Sequence, residues 1–190
     1  AKDKRKSYRE NWWTFAEARP ALRKALSGLN RYIGTTETAT HRVFSFIDAT
    51  FLPDQKIRVV ASDSLALLAV LTSRVHVAWA LVAGSRLGVG NDPVYNNARC
   101  FEQFPFPDMA LISEGGAPDF ARRIVSHRAS QQAQHGGLTV TGIYNVLEKL
   151  RRNEVLGSKD KLIHEQGLVS VLRELHDELD RAVFGAYGWN

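Results

Sequence analysis

The sequence predicts an α+β fold: a small antiparallel sheet with a long buried helix, followed by a C-terminal helical hairpin or three-helix unit. Three observations predict it. Segments 32–36, 41–48 and 56–62 are β-branched or aromatic and partly alternate, which is strand patterning. Residues 64–83 are almost continuously apolar, about the length of a membrane span, but Arg74 and His76 in the middle mark a buried helix instead. Beyond residue 118 the pattern turns helical, with Leu168, Val171, Leu172, Leu175 and Leu179 at i, i+3, i+4, i+7 spacing.

The elements follow in order. Residues 1–11 form a polar lead-in. Trp13, Ala16, Leu22, Ala25 and Leu26 then suggest an apolar helical face, interrupted at Pro20 and closed by Gly28. Leu52-Pro-Asp-Gln55 makes the turn between the last two strands. Asp63 or Ser64 is placed to cap the long helix, and Gly84 to end it with a left-handed exit. From Gly84 to Pro107 the chain carries Gly88, Gly90, Pro93, Pro105 and Pro107 and reads as a long loop, a class that is usually functional or disordered. Ser113-Glu-Gly-Gly-Ala-Pro118 breaks regular structure and sets a boundary between a first domain, 1–112, and a helical domain, 118–190. Helices are expected at about 118–134, 141–152 and 159–184, separated by Gly136-Gly137 and Gly157.

Composition narrows the function. With 190 residues and 44% apolar content the chain can bury a core. Ala1 opens it and no apolar secretory run follows, which predicts a piece of something longer with no export signal. The single Cys100 excludes an internal disulfide framework and fits a reducing cytoplasm. The net charge of +5 is concentrated at the amino terminus: residues 1–34 carry nine Lys/Arg against three Asp/Glu. A basic arm holding Lys4, Arg5 and Lys6 beside Trp12, Trp13 and Phe15 suits a phosphate-tracking surface, although a solvated linker would look the same. No histidine pair has metal-ligand spacing with an acidic partner, so no metal is implied. His164 and His176 are expected on the wet face of the last helix. Ser73-Arg-Val-His76 is expected to be a buried hydrogen-bonding hub.

Two tags carry a resemblance. The first is Phe101-Glu-Gln-Phe-Pro-Phe-Pro107 and the second is Leu179-Asp-Arg-Ala-Val-Phe-Gly-Ala-Tyr-Gly-Trp189, with Trp12-Trp13, Arg31-Tyr-Ile33 and His41-Arg-Val-Phe44 upstream. Together they resemble the carboxyl-terminal part of large bacterial DNA methyltransferases of the MmeI-like, type IIG/IIL restriction-modification class. The resemblance implies a target-recognition region plus a helical tail, with double-stranded DNA as partner. It also implies an upstream methyltransferase domain that binds S-adenosylmethionine and methylates adenine N6. The family's recognition residues precede the Phe-Pro-Phe-Pro tag. This loop lacks the Asp-Tyr-Arg-Tyr-like run found in some members. The aromatic close, Phe184, Tyr187 and Trp189, is read as an anchor for the tail.

The residues themselves suit reading rather than catalysis. No Gly-rich cofactor loop and no Asn/Asp-Pro-Pro-Tyr tetrad occur, and Gly88-Val-Gly90 is too short for a cofactor fingerprint, so this chain needs no cofactor of its own. Base reading requires donors and acceptors on a projecting frame, and segment 86–99 offers Arg86, Asn91, Asp92, Asn96, Asn97 and Arg99. An ordinary surface loop would also use Asn and Asp, for turns. Phosphate and sugar contacts are assigned to Lys4, Arg5 and Lys6, and to a strip of Arg31, Thr35, Thr36, Thr38, Thr40, His41 and Arg42, where threonines would otherwise simply favour strands. A rival reading is a protein-interaction module whose helical tail docks a partner subunit.

Overall fold

The computed structural model describes residues 10, 19–88 and 92–189. Pro20 opens the first described helix, α1 (Pro20–Leu26), where its missing N–H is harmless, and Arg19 precedes it in a left-handed turn at φ 42°. The three strands form as patterned: β1 (Arg31–Thr36), β2 (Ser45–Asp48) and β3 (Ile57–Val60). Their order is β2-β1-β3, antiparallel throughout, with Ile33 opposite both Phe46 and Val60. Being central, β1 buries Tyr32 through Thr35 on both faces.

The long apolar helix is two helices. Ser64 caps α2 (Leu65–Thr72) by accepting from the Leu67 amide, and Ser73 caps α3 (Arg74–Ala83) by accepting from the His76 amide while its hydroxyl donates to the Val70 carbonyl. The helices meet at 62°, and no single described helix is long and apolar enough to cross a membrane. The break separates two environments. Leu68 to Leu71 of α2 are fully buried, and the Leu68, Val70 and Leu71 side chains contribute about 1.5–3 kcal/mol each. In α3 only His76 and Ala80 are buried, and Val82 is 87% exposed. Gly84 is not left-handed; its φ is −69°.

The expected long loop is also structured. It contains a hairpin, β4 (Ser85–Leu87) with β5 (Asp92–Val94), then a single π-helical turn, Asn97–Phe101. A short helix, α4 (Met109–Glu114), leads to Gly116, whose φ of 77° turns the chain into α5 (Ala117–Gln134). Then come α6 (Val140–Arg151), α7 (Ser158–Gly167) and α8 (Val169–Ala186). The expected single helix at 159–184 is thus interrupted at Leu168, which is left-handed at φ 42°. That kink rotates the stripe: Val169, Leu172, Leu175, Leu179 and Val183 are buried, whereas Leu168 and Val171 are exposed. His176 consequently faces inward, not to solvent.

One core runs across the 113–118 boundary. It takes in Ile33 and Phe44 from the sheet region, Leu68 to Leu71, Ile124, Ile143, Leu147, Leu172 and Leu179. Helix α2 packs on α5, and α5 on α8. The two tags meet here too. Phe101, Phe104 and Phe106 interlock edge to face, and Tyr187 donates its hydroxyl proton to the Pro105 carbonyl at 2.8 Å.

Candidate functional site

The hairpin stands on an unusually tight base. A Cβ at Gly84 would lie 2.6 Å from both the Ala80 and the Val94 carbonyl oxygens, so only glycine lets α3 turn directly into β4. β5 is tied to the chain after β1: the Ala39 amide donates to Pro93, the Tyr95 amide donates to Glu37, and Thr38 bridges Val94. Beneath it Tyr95 is buried, 3.0 Å from His76 Nε2 through its hydroxyl, and Phe44 and Phe104 close on the His76 ring edge to face. Burial, with the Arg42 charge adding to it, holds His76 neutral with its pKa down at about 3.

From this base the polar residues of the 86–99 segment divide. Arg86 on β4, Asp92 on β5, and Asn96 and Arg99 around the π-helical turn are exposed. Among the described residues neither the Arg86 nor the Arg99 side chain has a hydrogen-bond or ion-pair partner, which leaves both guanidinium forks free for a ligand. Asn97 turns inward. Its amide donates to the Val59 carbonyl at 3.3 Å and its Oδ1 is buried without a partner, so it tethers the turn to β3 instead of presenting donors outward. Asn91 lies outside the described residues.

The strip assigned to backbone contacts also divides. Arg42 is 8% exposed, and its guanidinium donates to Thr35 Oγ1 and to the carbonyls of Thr36, Glu37 and Pro93, with the Tyr95 ring 5.2 Å away. The expectation of an exposed strip is corrected at Arg42, which is the internal bracket between the β1–β2 connection and the hairpin. Thr35 is likewise buried, donating to the Val43 carbonyl at 2.8 Å. Arg31 is exposed and lies over the Phe46 ring at 3.8 Å, while Thr36 is exposed at the end of β1. His41 is half-buried with Nε2 2.7 Å from Asn145 Oδ1, linking the β1–β2 connection to α6. Lys4, Arg5 and Lys6 fall outside the described residues.

A second polar feature was missed by residue-type reasoning. Arg128 on α5 is buried, donating to the Tyr144 hydroxyl at 3.1 Å and to the Phe44 carbonyl at 2.9 Å, and Tyr144 in turn meets His176 Nε2 at 2.9 Å. The signal was present in the sequence. Ala117, Ala121, Ile124, Arg128 and Gln131 share one buried helical stripe, so Arg128 occupies a core position of α5. Next to this network the 40–43 segment, α3, α5, α6 and α8 enclose a cleft of about 550 Å³.

Comparison with known proteins accords with this architecture. A solved structure described as that of the type IIL restriction-modification enzyme MmeI in complex with DNA superposes with a TM-score of 0.55 at 19% identity, covering 85% of this chain. This chain spans 19% of the length of that MmeI chain. No curated protein matches. Residues 6–108 match the family model described as "MmeI, target recognition domain". That match takes in the sheet, the α2–α3 pair, the hairpin and the Phe-Pro-Phe-Pro tag, and the chain therefore belongs to the MmeI target recognition domain family.

Proposed function

We propose that the chain reads a short DNA sequence for a site-specific DNA methyltransferase of the restriction-modification class. In this reading the 1–112 region recognises the target and the 118–190 helices brace it. An upstream domain of the same parent binds S-adenosylmethionine and methylates adenine N6 in the bacterial cytoplasm. The carrying observation is the hairpin and π-helical turn. Arg86, Asp92, Asn96 and Arg99 stand exposed on a base locked by Gly84, Tyr95 and Arg42. Recognition needs this combination, because a guanidinium or amide discriminates base edges only when its backbone is held in register. Arg pairs with guanine, Asn with adenine, and an Asp carboxylate accepts from cytosine N4. The exposed cations Arg31 and Arg86 and the basic amino-terminal arm supply the phosphate attraction that any such site requires.

Mapping of modified bases tests this. The full-length gene product is expressed in a host free of DNA methylation, as wild type and as the Arg86→Ala/Arg99→Ala double variant. The expected result is N6-methyladenine confined to one short sequence in the first strain, and a broadened or lost sequence preference in the second. Modification whose sequence is identical in both strains would remove the hairpin from recognition, and absence of modification in both would overturn the methyltransferase reading. The rival, a docking module, draws on the exposed Leu162, Leu168 and Val171 of the helical region. It predicts DNA affinity with little dependence on salt.

A further inference from the structure

The cleft beside the Arg128 network is charged in an unbalanced way. Its lining includes Arg42, Arg74, Arg128, Arg151 and Arg152, with Glu148 and Asp180 as the carboxylates. Three of these arginines have acidic partners. Arg74 reaches Asp177 at 3.4 Å and Asp180 at 3.3 Å, Arg151 reaches Glu148 at 3.1 Å, and Arg152 reaches Glu154 at 3.7 Å. The other two do not. Arg42 and Arg128 are the buried pair, and among the described residues they bond only to hydroxyls and carbonyls. A buried guanidinium surrounded by dipoles alone is costly, and an anion in the adjoining space would offset that cost.

Two further donors line the same cleft without partners. Thr72 is 8% exposed and its Oγ1 has no hydrogen-bond partner, and the same holds for Nε of Arg151. The local field is positive as well: burial first, then the charges of Arg128, Arg151 and Arg74, hold His176 well below its usual pKa. A hydroxyl and several guanidinium groups converging on one space are the donor set that phosphate oxygens take. The volume of about 550 Å³ admits such a group with its ester substituents.

We propose that this cleft is a phosphate-binding site, filled by a phosphodiester of the DNA backbone; that source rests on the recognition reading above. The phosphate sits where the β1–β2 connection and α3 face α5, α6 and α8. It lets the helical half add affinity and fix the angle of the duplex without reading any base. Arg42 joins the two functions, since it borders the cleft and also brackets the hairpin through Pro93.

The test uses the full chain with two probes. Inorganic phosphate is titrated while the arginine Nε–H resonances are followed by NMR, and labelled duplex carrying the mapped site is titrated by anisotropy over a range of salt. Wild type is compared with Thr72→Val, which keeps shape and removes the hydroxyl, and with Arg152→Glu, which places an anion at the exposed mouth. The expected result is a saturable shift at Arg128 and Arg151 that Arg152→Glu abolishes. With duplex, both variants should lose about threefold to tenfold in affinity. Arg152→Glu should lower the slope of log affinity on log salt by about 0.9, the loss of one phosphate contact, with sequence preference unchanged. Duplex binding that is sequence-selective but identical in all three proteins, without phosphate shifts, would overturn the cleft proposal and leave recognition standing. Saturable phosphate shifts in a chain that binds no duplex would retain the phosphate site while overturning both its DNA source and the recognition reading.

Discussion

At the scale of single residues, the same residue types take opposite roles according to where the backbone sends them. Arg86 and Arg99 are exposed with free guanidinium groups, whereas Arg42 and Arg128 are engaged internally. Replacing Arg86 or Arg99 by Ala should therefore remove about 1–3 kcal/mol of discrimination at one base pair. Thermal stability should shift by no more than about 0.5 kcal/mol, since the sites are exposed. Asn97→Ala should do the reverse: thermal unfolding should show a loss of about 0.5–1.5 kcal/mol from the broken tie to Val59, while DNA preference in a competition assay stays as it was. His76 gives a pH signature. Its folded pKa of about 3 lies below the ordinary 6.5, so between those values the unfolded chain holds a proton that the folded chain does not. Stability should fall as pH drops from about 6.5 toward 3, by up to about 1.4 kcal/mol per pH unit from this one group. His76→Gln should flatten that slope in Tm measured against pH. An unchanged slope would place the proton elsewhere.

At the scale of elements, short polar residues and glycine decide where helices stop. Apolar content alone reads residues 64–83 as one helix, but Ser73 both ends α2 and caps α3, because its hydroxyl and backbone offer the alternative bonds that a helix break needs. The same competition accounts for the hairpin. Residues 84–107 read as a loop because the strand signal of Ser85–Leu87 and Asp92–Val94 is only three residues long on each side, and Pro93 argues against a strand. Pro93 is tolerated because β5 pairs on one edge with β4 and its carbonyl, not a missing amide, makes the contacts to Ala39 and Arg42. Gly84→Ala should displace this unit, since the added methyl would meet two backbone oxygens that no side-chain rotation can move. A destabilisation of about 2 kcal/mol or more is expected from such overpacking. Hydrogen exchange should localise it: amides of β4, β5 and the π-helical turn lose protection, those of α6 and α8 do not. Uniform loss across the molecule would show that the hairpin base and the helical core unfold as one unit.

For the whole molecule, the two family-like tags are parts of one joint. Tyr187, near the end of the chain, holds Pro105 in the Phe-Pro-Phe-Pro segment, and Phe104 of that segment packs on His76 beneath the hairpin. Tyr187→Phe should lower global stability by about 0.5–1.5 kcal/mol in denaturant unfolding, with the transition remaining cooperative because a single core spans both halves. A biphasic transition in the variant would mean that this joint, and not the shared core, keeps the halves together. The sequence by itself determined the fold class, the three strands and their turn, the helical character beyond residue 117, the resemblance carried by the tags, and the segment that holds the exposed polar residues. These depend on local propensity, period and motif spacing, which are written along the chain. Only the tertiary structure decided which members of that segment face outward, that Arg42 turns in, that His176 and Arg128 meet across Tyr144, and that a cationic cleft opens between the sheet region and the helices. Burial and partnership at those residues are set by elements 50 to 100 or more positions away, as with Arg42 and Pro93, Arg128 and Phe44, and His41 and Asn145, and no local pattern encodes such a meeting.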